Sequence, residues 1–279
     1  FLAIKHGAFL AQYTKGEVYL LHVITKHWEK FNVFTPSITL DNVEKASDAV
    51  QKKLEELASD IKKEYGVKVT TVVNSGNPTG EIISFAKEIN ADLIVMGTHG
   101  YSSWEDLTIG SNALKVLTKS PCPVLTMSQP VDTLGYHKII LPIDTSEHSR
   151  HKVVLTLELA KQFVAHVYAV GLLADDEESK KHAMQVMLQQ VATAAKDKGV
   201  ACSTELIENV KNRAVATVNY CEKVGGDLIS IMTDQDAELS GFFLGPYALQ
   251  VIHHSKVPVL SVKPEEHPEN VSWTMLSGT

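Results

Sequence analysis

The sequence predicts an α/β protein built as two tandem doubly wound domains. Three observations lead there. ADLIVMGTHG at residues 91–100 returns as GDLISIMTDQ at 226–235, and SPCPVL at 120–125 returns as SKVPVL at 255–260, both at an offset of 135 residues. Short apolar runs alternate with segments whose apolar residues recur every three or four positions, as in strands separated by helices. Such strands need crossover connections, which give a mostly parallel sheet covered on both faces.

The elements of the first copy follow in order. FLAIKHGAFLAQ opens amphipathic, and residues 2–14 are expected to be helical. EVYLLHVI (17–24) reads as a strand. Val43, Ala46, Val50, Leu54, Leu57, Ile61 and Tyr65 then form one apolar helix face, with Asp41 as the expected N-cap and Gly66 as the C-cap. VKVTTVV (67–73) is a strand, 78–90 a helix, 91–97 a buried strand, 110–119 a helix and CPVLTM (122–127) a final strand. Gly110 maps to Gly245, Asn77 to Asn212 and Ala113-Leu114 to Ala248-Leu249 at the same offset of 135. GEVYLLHV (16–23) maps to AHVYAVGL (165–172) at an offset of 149, so the first copy carries 14 more residues, assigned to the loop 25–40. Two copies of this length are tandem domains rather than a solenoid.

The second copy opens with a strand, IILPID, inside YHKIILPIDTSEHS (136–149). At the offset of 149 its counterpart would precede Phe1, and a doubly wound sheet winds outward from that strand. The expectation is that the first strand of domain 1 is absent from this chain and that the native protein carries it. The domains are placed at 1–128 and 136–264, joined by the turn-rich SQPVDTLGY (128–136), with an irregular tail at 265–279 that includes Trp273.

Composition narrows the function. No apolar run approaches the roughly 18 to 20 residues of a membrane span. A net charge of −7, from 26 Lys+Arg against 33 Asp+Glu, argues against a broad nucleic-acid face. Cys122, Cys202 and Cys221 stand singly, without metal-ligand spacing, and read as small hydrophobes in a reducing cytoplasm. No signal peptide is visible.

The chemistry concentrates in GTHGYSSWEDLTIGS (97–111). Gly97 and Gly100 lie at the carboxyl end of a strand, where ligands of parallel sheets bind. Glycine there lets a ligand approach the backbone. Gly110-Ser111 opens the next helix, whose amides and macrodipole favour an anion, and Ser111 and Asn112 add side-chain donors. The loop between can fold back so that both ends meet one phosphate chain. It matches neither GxxxxGK[ST] nor GxGxxG.

Gly97, two residues, Gly100, nine residues, then Gly110-Ser111, between a strand ending VMG and a helix leading to SPCPVL, resembles the ATP-binding signature of the universal stress protein family. The resemblance covers nearly the whole chain. It implies a five-stranded parallel sheet in each domain, with the two halves paired through their last strands, and a homodimer as a further partner. It implies ATP, or else AMP or ADP, with Mg2+ reached through the phosphates. The phosphates would meet Gly97, His99, Gly100, Gly110, Ser111 and Asn112, with Thr98 in the same set, while Val23 would face the adenine and Met96 lie nearby. The family's acidic residue at the end of the first strand has no counterpart in the first half.

The second half departs from this pattern. Pro142 and Asp144 in LPID match the first-strand motif, but the loop reads MTDQDAELSGFFLGP. Met232 and Gln235 replace the leading glycines, Gly245 is kept, Pro246 replaces the serine, and Asp234, Asp236 and Glu238 add negative charge. This half is expected not to bind ATP, or to bind it far more weakly.

Other candidates have plainer readings. His99 lacks sequence partners for catalysis and reads as a backbone or phosphate contact. His148 and His151 read as a solvated face, His253 and His254 as a helix end, Asp92 and Asp227 as turn or cap residues, and Phe242 and Phe243 as packing. Trp28 and Phe31 fit a lid, an interdomain contact or a plain surface loop. The leading function is nucleotide-binding regulation in a stress response without efficient turnover, since no general base, carboxylate pair or arginine finger accompanies the loop. A slow ATPase and an interaction scaffold stand as alternatives.

Overall fold

In the computed structural model, which describes residues 2–25, 40–98, 109–128, 131, 133–144, 149–175, 177–233 and 244–263, strands and helices alternate as the pattern requires. The strands are β1 (Glu17–Ile24), β2 (Lys68–Ser75), β3 (Ile94–Gly97), β4 (Val124–Met127), β5 (Lys138–Ile143), β6 (His166–Leu172), β7 (Ala201–Ile207), β8 (Leu228–Met232) and β9 (Val259–Val262). The helices are α1 (Leu2–Thr14), α2 (Leu40–Tyr65), α3 (Pro78–Glu88), α4 (Ser111–Lys119), α5 (Ser149–Phe163), α6 (Glu178–Asp197), α7 (Arg213–Val224) and α8 (Pro246–His254).

The caps explain several of these bounds. Asn77 and Asn212, equivalent in the two copies, both cap helices. Asn77 Oδ1 accepts the Gly80 N–H at 3.1 Å, and Asn212 Oδ1 accepts those of Ala214 and Val215 at 2.9 and 3.1 Å. Gly66 ends α2 in the left-handed region, at φ +67, with its N–H on Lys62 O at 3.0 Å. At the other end the helix already begins at Leu40, so Asp41 lies inside its first turn and not at the N-cap.

Contacts divide the chain into two compact units, one up to Val95 and one from Met96. In the first, β1 and β2 form a two-stranded parallel sheet in register from Glu17↔Lys68 to Ile24↔Ser75. Ala8, Leu20, Ile61 and Ala86 are buried there. In the second half, β5 is the strand hydrogen-bonded to both β6 and β8. Among the described residues the first half has no strand in that role, so no ladder joins β1–β2 to β3.

The second sheet runs β3-β4-β9-β8-β5-β6-β7. Its β7-β6-β5-β8-β9 portion is wholly parallel and is the five-stranded sheet expected of one copy. The order reverses at β5, whose carboxyl end therefore faces a crevice. Ile139, Leu141, Leu157, Val167, Ile229 and Ile231 form its core at 0% exposure. The Asp227 carboxylate accepts the N–H groups of His137 and Lys138 at 2.8 and 2.9 Å, tying the start of β5 to that of β8.

The last strands of the two copies meet. β4 and β9 pair antiparallel, with Val124↔Ser261, Leu125↔Leu260 and Thr126↔Val259. Leu125 and Leu260 are equivalent by the sequence repeat, so the pairing is self-complementary about a local twofold axis.

Candidate functional site

The candidate site begins where β3 ends. Thr98 is buried, its N–H donates to Met127 O at 3.0 Å, and its hydroxyl points to the same oxygen at 3.4 Å. The Thr98 carbonyl accepts the Gly110 N–H at 2.8 Å. This one bond closes the intervening loop and sets the strand end beside the start of α4. Gly110 is the N-cap, at φ −60 and ψ 145, and no side chain caps the helix there. Any L-residue can adopt that conformation, so glycine is needed here for space: a Cβ would lie 3.1 Å from Thr98 O.

The closure refines the sequence reading. The Gly110 amide is engaged with Thr98 and is not turned to a ligand. At this helix start stand the first-turn amides of α4 and the exposed side chains of Ser111 and Asn112. Gly97 is exposed at the strand end and Met96 is half-buried beside it in sequence. Gly97, Thr98, Gly110, Ser111 and Asn112 thus share one neighbourhood. Val23 belongs to the other compact unit, where it pairs with Asn74 in the β1–β2 ladder. His99 and Gly100 lie outside the described residues, as do Trp28, Phe31, His148, Asp234, Gln235, Asp236, Glu238, Phe242, Phe243 and the tail.

The second half repeats the frame. Thr233 N–H donates to Val262 O at 2.9 Å, and Gly245 N–H donates to Thr233 O at 3.1 Å. Gly245 has φ −58 and ψ 150, nearly the values of Gly110. Only the surroundings of the frame differ. Met232, in the place of Gly97, is 0% exposed. Pro246, in the place of Ser111, sits at the first helical position, which suits proline but removes one amide from the anion-facing turn. Tyr247 stands where the first half has Asn112.

At the carboxyl end of β5 lies a cluster that the sequence reading passed over. Lys152 is 0% exposed and its Nζ donates to Pro142 O at 2.6 Å. Burial pulls its pKa down to about 8, with Asp144 acting against that and Arg213 adding to it. The Arg213 guanidinium lies 5.4 Å from the centre of the Tyr247 ring, and its Nε is buried with no hydrogen-bond partner among the described residues. The Tyr247 hydroxyl meets the Thr217 hydroxyl at 2.9 Å, and burial raises that phenol well above its usual range. A signal was present in the repeat: the equivalents of Lys152, Arg213 and Tyr247 are Ala3, Pro78 and Asn112. The structure supports that register. A Cβ on Gly7 of α1 would lie 3.7 Å from Val95 of β3, and their equivalents Thr156 and Ser230 are hydrogen-bonded at 2.8 Å.

Among the described residues no group of three His, Cys, Asp or Glu is placed to hold a metal ion, and no helix is long and apolar enough to cross a membrane. No disulfide joins Cys122, Cys202 and Cys221, and burial pushes the Cys221 thiol up to about 12, far from a reactive thiolate.

The model of the universal stress protein family matches this chain twice, at residues 2–127 and 135–263. A universal stress protein of Methanocaldococcus jannaschii is 34% identical over 131 residues, which cover 46% of this chain and 74% of that protein. The universal stress protein YxiE of Bacillus subtilis is 31% identical over 128 residues, 44% of this chain and 86% of that protein. A universal stress protein from Archaeoglobus fulgidus has the same fold in its crystal structure, with a TM-score of 0.74 at 18% identity over 95% of this chain and 92% of that one.

Proposed function

The chain belongs to the universal stress protein family, both halves matching it, and from that premise we propose that its first half binds ATP with little or no turnover. One observation carries the reading: the Thr98–Gly110 bond sets a glycine strand end beside an uncapped helix N-terminus. A phosphate chain finds there a backbone it can approach, the amides of the first turn of α4, and the Ser111 and Asn112 side chains. Gly97, His99 and Gly100 are proposed as further phosphate contacts and Val23 and Met96 as adenine contacts, whereas Thr98, buried with its N–H, hydroxyl and carbonyl engaged, holds the loop rather than the ligand. Mg2+ would be reached through the phosphates, and ADP or AMP would use the same contacts in part.

The second half serves as a companion without that site. Met232 fills the space left by Gly97, and Pro246 offers no amide. We place the copies at 1–128 and 136–264, with 265–279 as a tail, and the protein in the cytoplasm. Nucleotide at 100 times its Kd would stabilise the first half by about 2.7 kcal/mol, enough to couple nucleotide level to a partner surface.

Mass spectrometry of the small molecule that co-purifies with the chain, joined to a steady-state phosphate-release assay, tests the proposal. Retained ATP without turnover is the expected result. Rapid multiple turnover would make the protein an enzyme, and a chain free of nucleotide that takes up none would make it a scaffold.

A further inference from the structure

The carboxyl end of the β1–β2 ladder carries a polar pair that the phosphate loop does not use. Asn74 stands opposite Val23 in register, so the two side chains share one face of the sheet. Asn74 Nδ2 donates to Glu81 Oε2 at 3.0 Å. Glu81 lies in the first turn of α3, with its own N–H on Asn77 O at 3.0 Å. Gly76 leaves room for the carboxylate, since a Cβ there would stand 2.8 Å from Glu81 Oε1. Both residues of the pair are half-buried, and among the described residues no cation lies at ion-pair distance from Glu81. The second half, whose loop lacks the leading glycines, lacks this pair too: Ile207 and Ala216 occupy the equivalent positions.

A carboxylate only accepts hydrogen bonds, so Glu81 dictates which end of the Asn74 amide turns toward it. Nδ2 faces the carboxylate, and Oδ1 with one Nδ2 hydrogen is left for a ligand. An asparagine amide so held complements the amino edge of adenine, where an N–H donor sits beside a ring-nitrogen acceptor. We infer that Asn74, oriented by Glu81, reads the exocyclic amine of a 6-aminopurine base. Asn74 is the base contact and Glu81 a positioning residue. A 6-oxopurine sets an acceptor against Oδ1, and the two oxygens then meet with no proton between them. The inference rests on the nucleotide reading of the first half and adds to it the residue that selects the base.

The test measures the affinities of ATP and inosine triphosphate for the full chain by calorimetry. The two probes share ribose and phosphates and differ in the amino or oxo group of the purine. The wild type is expected to bind ATP about tenfold or more tightly than inosine triphosphate. Asn74→Ala should weaken ATP by about that factor and leave inosine triphosphate unchanged, which also shows that the variant is folded. Glu81→Gln offers the Asn74 amide a donor as well as an acceptor, so the amide can turn over. Its preference for ATP should fall because inosine triphosphate binds better, a shift that mere loosening of α3 would not give. Equal wild-type affinities, or a preference that survives Asn74→Ala, would overturn the inference and leave the nucleotide reading standing. A preference unchanged in Glu81→Gln would overturn the positioning role. Binding of neither triphosphate would overturn the nucleotide reading itself, and this inference with it.

Discussion

Replacing Lys152 by Met is expected to make the chain more stable at neutral pH, against the usual outcome for a substitution at a fully buried position. Burial lowers the lysine from 10.5 to about 8. At about 1.4 kcal/mol per pH unit, the charged form costs the folded state about 3 kcal/mol. Methionine keeps much of the stem and needs no partner, while the lost bond to Pro142 O costs about 1 kcal/mol. The net gain at pH 7 is about 2 kcal/mol. Below about pH 8 the ammonium is charged in both states and the native chain bears the full penalty. Between about 8 and 10.5 the folded chain has released the proton and the unfolded chain retains it, so the wild type gains stability as pH rises. Above that window both forms are neutral and the slope ends. Of the facing groups, the Tyr247 phenol is raised above the window by burial. Urea denaturation of both proteins at pH 7, 8, 9 and 10 reads the difference. The variant's advantage should shrink with pH and fall to about zero at pH 10. A difference that stays flat, or a variant weaker at pH 7, would refute the reasoning.

Three further outcomes are expected. Gly110→Val sets side-chain atoms against Thr98 O, where even a Cβ would stand at 3.1 Å, and should abolish nucleotide binding in calorimetry while circular dichroism stays native; stoichiometric binding by this variant would contradict the site. Asn212→Ala removes the acceptor of two amides at the start of α7 and should cost about 1 kcal/mol in chemical denaturation. Gly226→Ala would place a methyl group 2.7 Å from Ile140 Cγ1 and 2.8 Å from Cys221 Sγ, and should lower stability by about 1–3 kcal/mol, seen as a fall in Tm.

Periodicity and the repeat made most of the architecture readable. The constant offset of 135 placed Asn77 with Asn212 and Gly110 with Gly245, and each pair has the same role in the structure. The loop residues Gly97, Ser111 and Asn112 stood out because glycine and small polar residues at element ends are conspicuous. That the Gly110 amide is already engaged was not readable, because its acceptor lies across a loop whose path no local pattern gives. Lys152 escaped for a related reason. In SRHKVV a lysine in the first turns of a helix looks solvated, and what buries it comes from other elements brought together by the sheet. Comparing the copies position by position for gained charge, beyond shared glycines, would have exposed it.

The antiparallel seam between β4 and β9 bears on how two such different pockets came to share one molecule. In an assembly of identical chains, any substitution is copied to both sides of the symmetry axis, so a change that spoils one pocket spoils its mate. Here Leu125 faces Leu260 across the axis, but the two sides are encoded separately. One side is thereby free to change while the seam and the opposite pocket stay intact.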